Sequence, residues 1–329
     1  MATTTYSNLS QRTNAYAAKE MLAHAEPIAC LSKFGMAKPM PKNKANNVKF
    51  RRPVPLAVAT TPLTEGSPPT AKALGYEDVS VTLHQYGDVV EITDVVNDLA
   101  EDPVLKDAAM MCGEQAMETI ETLMWGVLQG GTNVFYSNGA ARNAVNTVIT
   151  LNKQRAITRQ LKGNRGKKVT SMLSSSVKFN TEAVAAAFIA FAHTDLESDI
   201  RGLAGFTPTE QYGSLKALPY EIGKVEDVRY ILTPVLTSIA NAGGAKGTHV
   251  STGGTSADVY PVVYCAKDAY GHVALKGAEA MTPSIINPGQ LDKSDPLGQK
   301  GMVGWKTYHK AFIANQSWLC RLECAATAL

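Results

Sequence analysis

The chain has 329 residues, 45% of them hydrophobic, and a formal net charge of +3, enough to build two packed subdomains but too little charge for a dedicated nucleic-acid binder with a strongly basic face. Its longest apolar run, AVAAAFIAFA at 183–192, is far short of the roughly 20 residues that cross a bilayer, and its start shows no basic end followed by an apolar core. Five scattered cysteines argue against a disulfide framework, so the expectation is a soluble protein of a reducing compartment with no membrane partner.

Residues 1 to about 44 are polar, carry Pro39 and Pro41, and run into KNKANN without sustained periodicity. They read as an arm that gains order only by lying on another surface. VKFRRPVPLAVATTPLTEGSPPTAKALGYEDVSV follows, and its Pro53, Pro55, Pro62, Pro68 and Pro69 exclude a helix. The prediction is a long two-stranded arm with an irregular tip, which needs a partner surface because an isolated hairpin is marginal in water. In its return strand the apolar positions are odd at Val79, Val81 and Leu83, then even at Tyr86, Val90 and Ile92. A strand places alternate residues on opposite faces, so that flip needs a bulge or twist. Gly87 is the residue type that permits one. The two half-strands therefore face different partners.

Asp102 as cap, Pro103 at the first turn and Gly130-Gly131 as stop predict a long helix over 103–129. Leu105, Ala108, Cys112, Ala116, Ile120, Leu123 and Val127 form its apolar face, while Glu114, Glu118 and Glu121 share another. A second helix is predicted at about 151–162, ending at Gly163. The run through Phe191 reads as a buried strand, although its alanines leave a helix open. Thr194 and Glu197 have capping-box spacing for a short helix closing at Gly202. A turn at Gly223, a strand with Val228, Tyr230 and Leu232 on one side, a glycine-rich loop at 243–254 and the strand VYPVVYCAK come next. The C-terminal strands follow, with Trp318, Cys320, Leu322 and Cys324 alternating. Strands and helices without regular alternation favour the α+β class.

Catalytic signatures are missing. The glycine-rich loop lacks both phosphate-loop and dinucleotide spacing, and no nucleophile elbow is present. Six histidines are dispersed without metal-ligand spacing, and Cys320 and Cys324 read as packing residues. Asp195 and Asp199 read as a solvated helix face before an acid/base pair. No cofactor is expected. Two basic clusters remain: KFRR, with Lys49, Arg51 and Arg52 at the arm's root, and KGNRGKK, from Lys162 to Lys168. Each is solubilising charge, a contact to acidic surface on a neighbouring subunit, or a contact to nucleic-acid phosphates.

This order of elements resembles the Hong Kong 97-type (HK97-like) phage capsid subunit. TEGSPPTAKALGYEDVSVTLHQYGDVVEITDVVNDL is similar to the extended-loop return strand of major capsid proteins typified by the short-tailed phage N-four. FIAFAHTDLESDIR, YEIGKVEDVRYILTP and GQKGMVGWK resemble later signatures in the family's order, so the resemblance covers about residues 45–329. Thr194 stands where the family usually has proline.

The resemblance implies an N-terminal arm at 1–44 and an extended loop at 45–90 that lies across a neighbour. It also implies a peripheral domain at 91–180 plus 296–329, with 103–129 as its spine helix, and an axial domain at 181–295. The implied product is a major capsid protein that assembles in the host cytoplasm into pentamers, hexamers and an icosahedral head around double-stranded DNA. Decoration, portal and scaffold proteins are further partners in that picture. An encapsulin-like cargo shell is the alternative on the same fold; a hydrolase or nucleotide-binding enzyme is a third reading without motifs. The candidate inter-subunit residues are Lys49, Arg51, Arg52, Gly87, Glu114, Glu118 and Glu121, with an arm arginine expected to meet a carboxylate of the adjacent copy.

Overall fold

Alternation along one strand organises most of the fold. In the computed structural model, which describes residues 29–41, 43, 46–63, 65–66, 68–99, 104–173, 181–213, 216–275, 282–289 and 295–329, the run at 183–192 is a strand. The proposed cap at Asp102 and Pro103, and the first 28 residues, lie outside the described residues. In chain order the helices are α1 (Leu31–Phe34), α2 (Asp94–Leu99), α3 (Val104–Leu128), α4 (Leu151–Gly163) and α5 (Glu197–Arg201). The strands of the first half are β1 (Met36–Met40), β2 (Asn47–Pro53), β3 (Tyr76–Thr82), β4 (His84–Thr93), β5 (Val134–Tyr136), β6 (Val169–Leu173) and β7 (Thr181–Ala192). Those of the second half are β8 (Phe206–Pro208), β9 (Glu221–Val225), β10 (Val228–Leu232), β11 (Tyr260–Cys265), β12 (Tyr270–Leu275), β13 (Thr282–Ile286), β14 (Lys300–Ile313) and β15 (Leu319–Cys324).

An eight-stranded mixed sheet runs β5-β15-β11-β7-β10-β9-β8, with β6 also on β7. Along β7, Phe188, Ala190 and Ala192 point into one core, shared with Ile157 and Leu161 of α4, Tyr230, Tyr264 and Cys320, Leu322 and Cys324. Ile189 and Phe191 point into another, with Ile120, Met124, Trp125 and Leu128 of α3 and with Cys30 and Leu31. Covered on both faces, β10, β11 and β15 are buried at every position, Arg229, Arg321 and Glu323 included. Each fully buried Ile or Leu of this kind stabilises by about 1.5–3 kcal/mol.

A five-stranded sheet (β1, β12, β14, β13 and β4) is built round the 14-residue β14. The first half of α3 packs on it through Ala109, Cys112 and Ala116 against Ile92, Val303 and Trp305. Residues 29–40 lie on the home chain: β1 pairs in parallel with β12, and Tyr270 donates its hydroxyl to the Leu31 carbonyl at 2.7 Å.

Local chemistry departs from expectation at two turns. Glu197 does not close a capping box; the ring of His193 caps instead, its Nδ1 accepting from the Asp195 N–H at 3.1 Å, while Glu197 pairs with Arg201. Gly223 lies inside β9, where a Cβ would stand 2.5 Å from the Phe206 ring. The turn there falls at Glu226-Asp227, with Glu226 in the left-handed region at φ 52°.

Candidate inter-subunit surface

The arm's root is built from two short strands in antiparallel register, Asn47↔Thr82 to Pro53↔Tyr76. Its inward face holds it to the body: Val81 is buried with Met40, Val273 and Phe312, and Phe50 stacks on Phe312 at 4.4 Å between centroids. The charges fall on both faces: Lys49, Arg51 and Asp78 point outward, while Arg52 and Glu77 lie on the side of Phe50 and Val79, nearer the tip. Arg51 donates to Asp78 through Nε and Nη2 at 2.8 and 3.1 Å, and Arg52 pairs with Glu77. Hydrogen bonding from Arg51 holds the Asp78 carboxyl below the usual carboxylate range, with Lys49 adding to it. Each of these arginines thus has a carboxylate within its own chain. Their partners sit directly across the hairpin, because Arg51 and Arg52 face Asp78 and Glu77 in register. Lys49 is exposed.

Beyond Pro53 the strands end. Val54 donates to the Gly75 carbonyl at 2.9 Å, and the described residues between carry no regular structure. Val54, Leu56, Val58, Leu63 and Leu74 are all exposed, Val58 at 72% and Leu63 at 75%.

The parity flip is present, but Gly87 does not make it. β4 runs against β14 in unbroken register from Thr93↔Lys300 to His84↔His309, so no bulge exists at that glycine. The change falls at Leu83, between two sheets: Val79 and Val81 face the arm's core, Tyr86 and Ile92 face α3. Gly87 is required for a different reason, since a Cβ there would lie 2.6 Å from the Trp305 carbonyl oxygen.

The acidic stripe of α3 is divided. Glu118 is exposed and Glu114 half-buried, but Glu121 is buried and accepts from the Leu31 and Ser32 N–H groups at 2.7 and 3.1 Å. Desolvation pushes its carboxyl up, against those donors. Glu121 is therefore removed from the inter-subunit candidates. The helix turns its buried side as it passes from the five-stranded sheet, met at Ala109 and Cys112, to the second core, met at Met124 and Trp125. Glu121 falls on the later buried side.

The second basic cluster also finds partners at home. Lys162 and Lys168 converge on Asp227 at 2.5 and 2.9 Å, which lowers that carboxyl, and Arg155 pairs with Glu226. Asp199 is no solvated residue: it holds Thr327 by backbone and hydroxyl at 3.0 and 2.7 Å. Asp195 accepts from Tyr260 at 2.7 Å. The glycine-rich loop is pinned through Asp258, which accepts from the Asn241 N–H and from Thr252. All five cysteines are buried free thiols. Among the described residues, no group of three or more His, Cys, Asp or Glu could hold a metal ion, and no helix is long and apolar enough to cross a membrane.

Two features escaped the sequence reading. One is the buried pair Arg229–Glu221 at 2.7 Å, whose only sequence signal is a charge inside an apolar strand. The other is the exposure of β4, where Val89 and Val90 remain at the surface; alternation gave the inward side of this strand but not its free edge.

A family model described as phage capsid protein matches residues 76–311. No curated protein matches in sequence. Among solved structures, the capsid of Ralstonia phage GP4 is similar at TM-score 0.66 and 11% identity, over 90% of this chain and 88% of that one. The cyanophage Pam1 capsid is similar at 0.63 and 14%, over 93% of each chain. The head of Helicobacter pylori bacteriophage KHP40 is similar at 0.55 and 11%, over 88% of each.

Proposed function

The chain belongs to the phage capsid protein family and is a major capsid protein of the virion shell with the HK97-like fold, and from that premise we propose that its copies form rings of five and six that close into an icosahedral shell around double-stranded DNA. Assembly in the host cytoplasm, with portal, scaffold or decoration proteins as further partners, belongs to the same proposal. The role is structural and uses no chemistry of its own.

The observation that carries this reading is the arm. A segment with five large apolar residues exposed and no core of its own gains stability only on a second surface. On this reading the extended loop is 47–82, shorter than 45–90, since β4 belongs to the home sheet. The peripheral domain holds the five-stranded sheet and α3, and the axial domain is built on the eight-stranded sheet. Contacts of modest strength suffice when repeated round closed rings. Lys49 and Glu118, both exposed, remain candidates for the interface. Electron microscopy of the purified protein is the test: closed particles of uniform diameter are expected, and a monomer at every concentration would refute the proposal.

A further inference from the structure

Residues 29–34 are fastened to the body by a buried carboxylate. Glu121 of α3 accepts from the Leu31 and Ser32 N–H groups at 2.7 and 3.1 Å, and the Ser32 side chain and the Cys30 N–H add to these donors. From the other side the Tyr270 hydroxyl donates to the Leu31 carbonyl at 2.7 Å. Cys30 and Leu31 are buried in the second core, and Phe34 meets Phe191 at 5.9 Å between ring centroids.

Glu121 has donors but no counter-charge. Cys30 and Lys33 reach this site from the docked segment, Tyr220 from the turn before β9, and Tyr270 from β12. Lys33 is the one cation among these groups, and it forms no ion pair with Glu121. The run Val169–Leu173 of β6, which shares the core, carries no titratable side chain. A carboxylate buried without a cation is costly, and hydrogen bonds offset only part of that cost.

The segment can also leave without breaking a sheet. β1, which follows it, ends the five-stranded sheet and pairs with β12 alone among the described residues. α1 has four residues, and a helix that short persists through its contacts rather than its own propensity. Openings of such edge segments cost less than global unfolding.

We propose that residues 29–34 form a proton-linked clasp, which docks on α3 as Glu121 takes up a proton and opens as Glu121 releases it. The inference goes beyond the shell reading and does not depend on it. Its sign follows from the surroundings of the carboxyl. Docking strips water from Glu121, so the docked form holds the proton more tightly than the open one. Opening therefore rises with pH from about 4.3, the ordinary glutamate value, and levels off once pH passes the raised value of the docked form. The rise is at most about tenfold per pH unit.

Two native thiols report on this directly. Cys30 lies in the clasp, while Cys265 is buried in the same core on β11, inside the eight-stranded sheet. The full chain is labelled with dipyridyl disulfide, which reacts with thiols in acid as well as at neutral pH, and each cysteine is read by peptide mass spectrometry. The ratio of the two rates cancels the reagent's own pH dependence. Cys30 is expected to react about tenfold faster than Cys265 or more, and the ratio should rise about threefold or more between pH 4.5 and 8. In Glu121→Gln the ratio should no longer vary with pH. Tyr270→Phe, which keeps Glu121, should multiply the ratio by the same factor at every pH. Cys30 reacting no faster than Cys265 would remove the clasp. A ratio that stays flat or falls with pH, or that rises as steeply in Glu121→Gln, would overturn the proton linkage. Should Glu121→Gln not fold, the parent and Tyr270→Phe decide: parallel rises uphold the proposal and flat profiles refute it.

Discussion

The arm and the eight-stranded sheet use similar strand chemistry and end in opposite conditions. β10, β11 and β15 are buried at every residue, because α4 covers one face of the sheet and α3 the other. The β2–β3 ladder has one buried residue, Val81, and beyond it the apolar side chains stay in solvent. The difference is the number of layers a single copy supplies. Folding of the sheet is complete within one chain, whereas the arm, on the proposed reading, is completed by a second. Stability and assembly should therefore respond to different residues.

The largest effect is expected from removing the tip. Replacing residues 55–74 with an Asn-Gly turn joins Val54 to Gly75, which are already hydrogen-bonded, through a connection suited to a two-residue hairpin. Closed particles should disappear under electron microscopy. The unfolding free energy of the monomer should change by no more than about 0.5 kcal/mol, as for other surface changes. Loss of folding along with assembly would show that the two regions are not separable.

The converse change lies in the sheet. Arg229 donates from Nε to Glu221 at 2.7 Å and from Nη2 to the Lys216 carbonyl at 2.7 Å, and both side chains of the pair are nearly inaccessible. Arg229→Ala leaves a buried carboxylate without its counter-charge, which costs about 3–5 kcal/mol. Chemical denaturation of the monomer should register that loss.

Why the sheet was legible in the sequence and the arm only half so follows from the same contrast. Alternation in β15 and the apolar run of β7 encode burial directly, and the 25-residue α3 declared itself by its period. Glu121 was misplaced because a helix that meets two cores in succession rotates its buried side, and a single wheel averages over that change. Gly87 was assigned a bulge because its sequence context shows only that a Cβ is unwelcome; the carbonyl that excludes it comes from residue 305. The pairing of Arg51 and Arg52 within their own hairpin was not legible, because Asp78 and Glu77 lie 27 and 25 residues away, across an irregular loop that fixes no register in the sequence.

A third effect divides the two sheets by pH. His272 and His309 stack at 5.7 Å within the five-stranded sheet, and among the described residues both nitrogens of His309 and Nδ1 of His272 lack partners. Burial lowers His272 to about 4. Burial lowers His309 to about 3, with His272 and Lys310 adding to it. Both values lie below the unfolded one, so the unfolded chain binds more protons in acid and stability falls with pH. The loss begins near pH 6.5 and continues towards pH 4 and below, by at most about 1.4 kcal/mol per unit for each histidine. His272→Leu with His309→Leu should flatten the monomer's stability between pH 6.5 and 4.5; an unchanged slope would place the acid sensitivity elsewhere.

The smallest effect on stability is expected at the charged root of the arm, where the comparison can be drawn most finely. Arg51–Asp78 and Arg52–Glu77 are solvent-accessible ion pairs on the two faces of a two-stranded ladder. Exposed pairs lose in side-chain ordering and screening most of what they gain in attraction, so Arg51→Ala with Arg52→Ala should leave the monomer's thermal midpoint unchanged. Reversal is more informative than removal. Arg51→Glu with Arg52→Glu sets four carboxylates across one ladder, and like charges directly opposite oppose pairing, so the arm's root should splay and assembly should weaken. Adding Asp78→Arg and Glu77→Arg rebuilds both pairs with their signs exchanged. If the pairs serve only to hold the hairpin, the fourfold variant should assemble at the parent's concentration. Should it still fail while the monomer folds, the guanidinium groups themselves would be touching the neighbouring copy, and the boundary between self-sufficient and shared structure would move from Pro53 down to Arg51.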